Sequence, residues 1–187
     1  MGSFRVAILD DYQNVARRIV DWSILGPDVT IHAFHDTLPD TAALAARLEP
    51  FDAVIAMRER TTFDKALIDR LTNLKLLVTT GRRNAAIDVA AATARGIVVS
   101  GTSTMSTPAV ELTWGLILAL ARHIPAESQA MRSGQWQSTV GMDLKGRTLG
   151  ILGLGRLGAE VARIGQDRKS TRLNSSHSQQ SRMPSSA

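Results

Sequence analysis

Short apolar, β-branched runs alternate with segments in which apolar residues recur every three or four positions. The runs RVAILD (5–10), VTIHAF (29–34), DAVIAM (52–57), LKLLVTT (74–80) and GIVVS (96–100) predict strands. Between them, Asp40 to Pro50, Thr61 to Leu71 and Asn84 to Gly96 each begin on Asp, Thr or Asn and keep helical spacing, so they predict capped helices. Strand–helix alternation at this pitch predicts a parallel sheet covered on both faces, because a right-handed crossover returns the chain beside the strand it left.

The longest helical pattern runs from Thr107 to Ile124, TPAVELTWGLILALARHI. Thr107 is expected to cap it, Pro108 to occupy its first turn, and Glu111 to sit near the positive end of its dipole. Apolar residues surround this helix, which predicts burial against a second domain or subunit. A turn, RSGQWQ, then leads into GRTLGILGLGRLGAEVARIG, read as a strand, a tight glycine turn and a helix start.

Composition narrows the function classes. The 187 residues are 44% hydrophobic, enough for a core, and the longest apolar run is too short and too interrupted to span a bilayer. No signal-peptide pattern precedes the first strand, and the cytoplasm is the expected location. The absence of cysteine excludes disulfides and thiolate metal sites. The formal charge of +5 is concentrated at the end of the chain; residues 1–166 carry 18 basic and 16 acidic side chains, too even a balance for a nucleic-acid footprint.

Gly153, Gly155 and Gly158 form G-x-G-x-x-G between the strand TLGIL and the helix LGAEVARI, the placement that a dinucleotide-binding turn requires. Gly153 permits the tight turn, Gly155 leaves room for a pyrophosphate beside the backbone, and Gly158 allows close packing of helix on strand. The helix N-terminus directs N–H groups and partial positive charge at the phosphates. A second strand ending in the acidic residue that holds the adenosine ribose is expected about 20 residues after the start of the signature. Instead, from Asp167 the chain reads DRKSTRLNSSHSQQSRMPSSA, Ser-rich and without period, which predicts a disordered tail. This tail also resembles a translated short-read sequencing adapter: adapter codons spell Asp167 through His177, and a second in-frame match spells Ser181 through Ala187. The expectation is that the biological sequence ends near Gln166.

Taken in order, LKLLVTTGRRNAAIDVAAATARGIVVSGT, PAVELTWGLILALARHIP, GQW and LKGRTLGILGLGRLGAEVARIG resemble the NAD-dependent D-isomer-specific 2-hydroxyacid dehydrogenases, across residues 4–166. The resemblance implies a flavodoxin-like parallel-sheet substrate domain, its N-terminal segment spanning 1–102. Residues 103–166 would begin an incomplete Rossmann nucleotide-binding domain, and 167–187 would be a non-native tail. It implies hydride transfer between NAD and C2 of a small 2-hydroxy or 2-oxo acid, and a homodimer. NADP stays open, because the residue that selects between them lies past Gln166.

The resemblance also implies that the catalytic arginine, the histidine and its carboxylate lie beyond Gln166, so no catalytic residue is assigned and this chain alone is expected to be inactive. An oxyanion and a mobile proton both need partners at the reacting carbon. The loop Gly81, Arg82, Arg83 and Asn84 matches the position that meets the substrate carboxylate, with Arg82 also near the nicotinamide end. Two arginines depart from the smaller residues usual there, and solvated loop charges are the competing reading. Arg156 and Leu157 match pyrophosphate contacts alongside Gly153, Gly155 and Gly158. Glu111 matches a family glutamate, though the helix dipole explains it equally. His32, His35 and His123 read as structural, and Asp10 and Asp11 as helix caps rather than a catalytic pair. With partner strands missing, TLGIL is expected to lack sheet neighbours and apolar surface near Trp114 and Leu118 to be exposed. An NAD-sensing corepressor-like regulator is the alternative function, and a simple anion-binding module a third.

Overall fold

The computed structural model describes residues 3–167 and the strand at 172–176, and divides into two compact units, Met1–Thr104 and Met105–Ala187. In the first unit, β1 (Phe4–Ile8), β2 (Val29–Ala33), β3 (Ala53–Ala56), β4 (Leu76–Thr79) and β5 (Val98–Gly101) pair in parallel in the order β2-β1-β3-β4-β5. This flavodoxin-like order reverses direction at β1 and β3, which opens a crevice at their C-terminal ends. The connecting helices are α1 (Ala16–Ile19), α2 (Thr41–Leu48), α3 (Lys65–Ile68) and α4 (Val89–Ala94). Ala7, Leu9, Val54, Ala56 and Leu77 from the sheet bury against Leu44, Leu48, Leu67, Ile68 and Leu71 from α2, α3 and the turn after it, and Phe63 is wholly enclosed.

Caps explain where the helices start. Asp40, Asp64 and Asp88 each accept the backbone N–H three residues on, from Ala43, Leu67 and Ala91, satisfying donors that have no partner within the helix. α4 therefore begins after Asp88 and not at Asn84, and α3 begins after Asp64 and not at Thr61. The reason is that neighbouring backbone is spent elsewhere: Phe63 donates its N–H to Ala86 O at 2.7 Å and accepts from Asp88 N at 2.9 Å, extending both segments. Asp11 behaves as the expected cap, accepting from Val15 N and Ala16 N at 3.0 Å each.

The second unit holds α5 (Thr107–Ala121), α6 (Ile124–Arg132), β6 (Thr148–Leu152) and α7 (Arg156–Asp167). Five expectations are corrected in this unit. Thr107 is the first residue of α5, not its cap; Ser106 precedes it and donates its hydroxyl to Glu160 Oε1 at 2.7 Å instead. The long apolar pattern breaks at His123, whose left-handed backbone (φ 52) turns the chain into α6. α5 is not buried all round: Val110, Trp114 and Ala121 are covered, whereas Leu112, Leu116 and Leu120 stand 63%, 61% and 78% exposed. Trp114, expected to be uncovered, is only 6% exposed. It packs in a cluster with Val110, Val161 and Leu149, and its Nε1–H donates to Val161 O at 3.3 Å.

The fifth correction concerns the tail. β6 does have a neighbour: Arg172–Ser176 forms β7 in parallel with it, in register from Thr148 opposite Arg172 to Leu152 opposite Ser176. An unpaired strand edge offers a row of backbone donors and acceptors that any extended segment can satisfy, so pairing there does not require the apolar alternation that the tail lacks. The remaining residues of the expected disordered tail, 168–171 and 177–187, lie outside the described residues. No helix among the described residues is long and apolar enough to cross a membrane.

Candidate functional site

In the first unit, the C-terminal ends of β1, β3 and β4 carry the polar residues. At the reversal crevice, Asp10 is 1% exposed and has a left-handed backbone (φ 56). Its carboxylate accepts the Thr61 hydroxyl at 2.7 Å and those of Thr37 and Tyr12, while Arg60 Nη1 donates to its carbonyl at 2.6 Å and Arg60 Cζ lies 4.7 Å from the Tyr12 ring centroid. A buried carboxylate is tolerable only with such partners. These bonds engage Asp10 as a brace between the end of β1 and the segment after β3. His35 joins the same rim: its Nδ1–H donates to Asp11 O at 2.9 Å. His32 stacks among Phe34 and Phe51.

The predicted anion loop follows β4. Gly81 N donates to Thr79 O and Gly81 O accepts from Thr102 N, pinning the loop between β4 and the end of β5. Asn84 is buried and committed inward. Its Nδ2 donates to Arg58 O at 2.6 Å and Thr79 Oγ1 at 3.1 Å, and its Oδ1 accepts Ala86 N at 2.9 Å. Arg82 and Arg83 are exposed on the loop and border a cavity of about 430 Å³ lined also by Asn84, Ile87, Val99 and Ser100. A second cavity, of about 590 Å³, is lined by Arg58, Arg82, Arg83 and Thr104. Arg58, which follows β3, was missed by sequence reasoning; the signal was its place in MRERTT, at the end of a central parallel strand, where ligands of such sheets bind.

The second unit contains the glycine turn. Gly153 has φ +88, a conformation that side chains disfavour. A Cβ on Gly158 would lie 2.2 Å from Gly153 O, so no other residue fits without moving the turn. A Cβ on Gly155 would meet nothing within 4 Å, leaving open space beside the backbone that leads into α7. Gly165 presses α7 onto the strand, since a Cβ there would be 3.0 Å from Leu149 Cδ2 and 3.4 Å from Trp114 Cζ2. The first N–H groups of α7, from Arg156, Leu157 and Gly158, lie in the helix turn that has no carbonyl of its own to bond. Tight where strand meets helix and open where a ligand would approach, this arrangement fits a diphosphate. Among the described residues no cluster of His, Asp and Glu could hold a metal ion.

Comparison with known proteins agrees with this construction. Residues 114–183 match the family model of the D-isomer specific 2-hydroxyacid dehydrogenase NAD binding domain. The chain is 36% identical over 143 residues to a glyoxylate reductase of Thermofilum pendens, covering 73% of this chain and 42% of that one. It is 39% identical over 122 residues to the D-3-phosphoglycerate dehydrogenase of Homo sapiens, covering 64% of this chain and 23% of the human enzyme. The crystal structure of a phosphoglycerate oxidoreductase from Vibrio cholerae superposes with a TM-score of 0.84 at 36% identity, over 93% of this chain and 56% of that one. The chain thus spans about half or less of the length of the relatives it matches. Residues 114–183 thus match the NAD binding domain of the D-isomer specific 2-hydroxyacid dehydrogenases, and the chain as a whole is similar in sequence and sheet order to members of that family.

Proposed function

We propose that the protein is an NAD-dependent oxidoreductase acting on a small 2-hydroxy or 2-oxo acid. The observation that carries this reading is the turn in which Gly158 closes on Gly153 O while Gly155 leaves its flank open. The pyrophosphate is held there by the N–H groups of Arg156, Leu157 and Gly158 at the positive end of α7. When bound, NAD supplies the hydride acceptor or donor for C2 of the acid. Residues 103–166 begin the nucleotide-binding domain, and residues 1–102 form the first segment of the substrate domain.

The loop Gly81–Arg82–Arg83–Asn84 takes the substrate carboxylate. Gly81 and the two arginines face it, Arg82 also meets the nicotinamide end, and Asn84 holds the loop in shape through Arg58 O and Thr79. No catalytic residue for the C2 hydroxyl is assigned within the described residues; the family resemblance implies an arginine and a histidine–carboxylate pair for that step. The protein works in the cytoplasm as a homodimer, with the exposed row Leu112, Leu116 and Leu120 of α5 supporting a subunit contact. Sequencing the locus and expressing its uninterrupted reading frame tests the whole reading. NADH absorbance should fall on addition of glyoxylate or another 2-oxo acid, and a protein that binds no NADH, or binds it without turnover of any such acid, overturns it.

A further inference from the structure

The chain passes from the first unit to the second at Thr104–Met105, within a stretch, 102–105, that belongs to no helix or strand. Both ends of this stretch are anchored. At its start, Thr102 donates its N–H to Gly81 O at 2.9 Å. The end of β5 lies so close to the 81–84 loop that a Cβ on Gly101 would come 2.7 Å from Gly81 O and 2.8 Å from Arg82 O. At the other end, Ser106 donates its hydroxyl to Glu160 Oε1 at 2.7 Å, across 54 positions of sequence.

Ser106 gives up a local role to make that bond. Serine is a preferred residue just before a helix, where its side chain takes a free N–H group. Here the backbone is already helical (φ −87, ψ −31) and the side chain caps nothing. A hydroxyl bonded to a carboxylate is held more strongly than one bonded to a neutral group, and the Glu160 charge complements the positive end of the α5 dipole. Glu160 is half-buried on α7, one turn after Arg156 at the start of that helix. Otherwise α5 meets α7 through the apolar cluster of Val110, Trp114, Val161 and Ile164, with Trp114 Nε1 bonded to Val161 O. Apolar contact is non-directional, so directed bonds set how α7 is turned about its axis, and Glu160 carries one of them.

We infer that Glu160 is a positioning residue that couples the glycine turn to the 81–84 loop: through Ser106 and the anchored stretch 102–105, ordering of the turn by a diphosphate reaches the Gly81 carbonyl. This inference rests on the reading of that turn as a nucleotide site. A ligand at the turn orders the first turn of α7, Glu160 lies one turn further on, and ordering at one anchored group lowers the freedom of the next. Glu160 acts through Ser106 and not on the ligand.

Amide hydrogen exchange of the full 187-residue chain, with and without ADP-ribose, tests this. ADP-ribose supplies the diphosphate and lacks the nicotinamide that would meet Arg82 directly. On binding, peptides covering 78–84 and 102–106 should both exchange at least about fivefold more slowly, the low end of ordinary coupling between sites. Glu160→Ala and Ser106→Ala should each still bind ADP-ribose yet slow those peptides less than about twofold, and the double variant should lose no more than either single one. Glu160→Gln keeps an acceptor for Ser106 and should retain most of the slowing. A bond that only stabilised the fold would change exchange in the free and liganded chains alike, so the ratio between them is the readout. If Glu160→Ala fails to fold, Ser106→Ala must remove the slowing instead. ADP-ribose that binds yet leaves either peptide unslowed, or slows both equally in the wild type and the folded alanine variant, overturns the inference and leaves the nucleotide reading standing. A chain that binds no ADP-ribose overturns both.

Discussion

Gly155 and Gly158 stand in opposite steric surroundings within one turn. A Cβ at Gly158 collides with Gly153 O at 2.2 Å, whereas one at Gly155 meets nothing within 4 Å. Gly158→Ala is therefore expected to destabilise the second unit by about 1–3 kcal/mol, the usual cost of overpacking, and to weaken NADH binding as well. Gly155→Ala should leave the melting temperature nearly unchanged yet lower NADH affinity at least about tenfold, because the added methyl occupies only the approach side. Thermal melts alongside NADH fluorescence titrations check both, and a Gly155→Ala chain with unaltered affinity would remove the turn from the site. These glycines were legible in the sequence because spacing and flanking pattern together fix the turn. Arg58 was not, since its place beside the loop comes from φ 57 and from bonds to the distant Thr80 and Asn84, which no local pattern encodes. Asn84 illustrates the converse: its position in the loop was legible, its inward commitment to Arg58 O was not.

Among the elements, the sheet is tied at its N-terminal edge by one carboxylate. Asp52, at the entry to β3, accepts Arg5 N at 2.9 Å and Lys75 Nζ at 2.7 Å, joining β1 and β4 to the strand between them. The Arg5 N–H, followed by the Lys75 ammonium, holds its carboxyl below the usual carboxylate range. A depressed folded pKa stabilises the native state above the unfolded value of about 3.9 and loses that contribution as pH falls through the lower folded value. Denaturant unfolding at pH 6 and at successively lower pH should thus show a loss of stability that is shallower in Asp52→Asn; parallel curves for the two proteins would refute the tie. The strands themselves were readable from apolar runs. Helix starts were misplaced where an aspartate three or four residues further on, Asp64 or Asp88, made the stronger cap, and where Phe63 bonded to Ala86 and Asp88 drew both segments into extended backbone.

For the whole molecule, the apolar row on α5 is the feature that sequence pattern recognised and misjudged. An all-round apolar helix argues for complete burial, but the second unit covers only the side bearing Val110, Trp114 and Ala121. Leu112, Leu116 and Leu120, each four residues after the last, form a continuous stripe suited to a second copy of the chain. Sedimentation of the uninterrupted protein should report a dimer, and Leu116→Arg should shift it to monomer; a wild-type monomer at micromolar concentration would dismiss the subunit contact. The pairing of Arg172–Ser176 along β6 carries a practical lesson for such experiments. Purification handles and reporter fusions appended soon after α7 would sit beside the β6 edge and compete with Arg172–Ser176 for its backbone donors and acceptors. Placing them at the N-terminus leaves that pairing undisturbed.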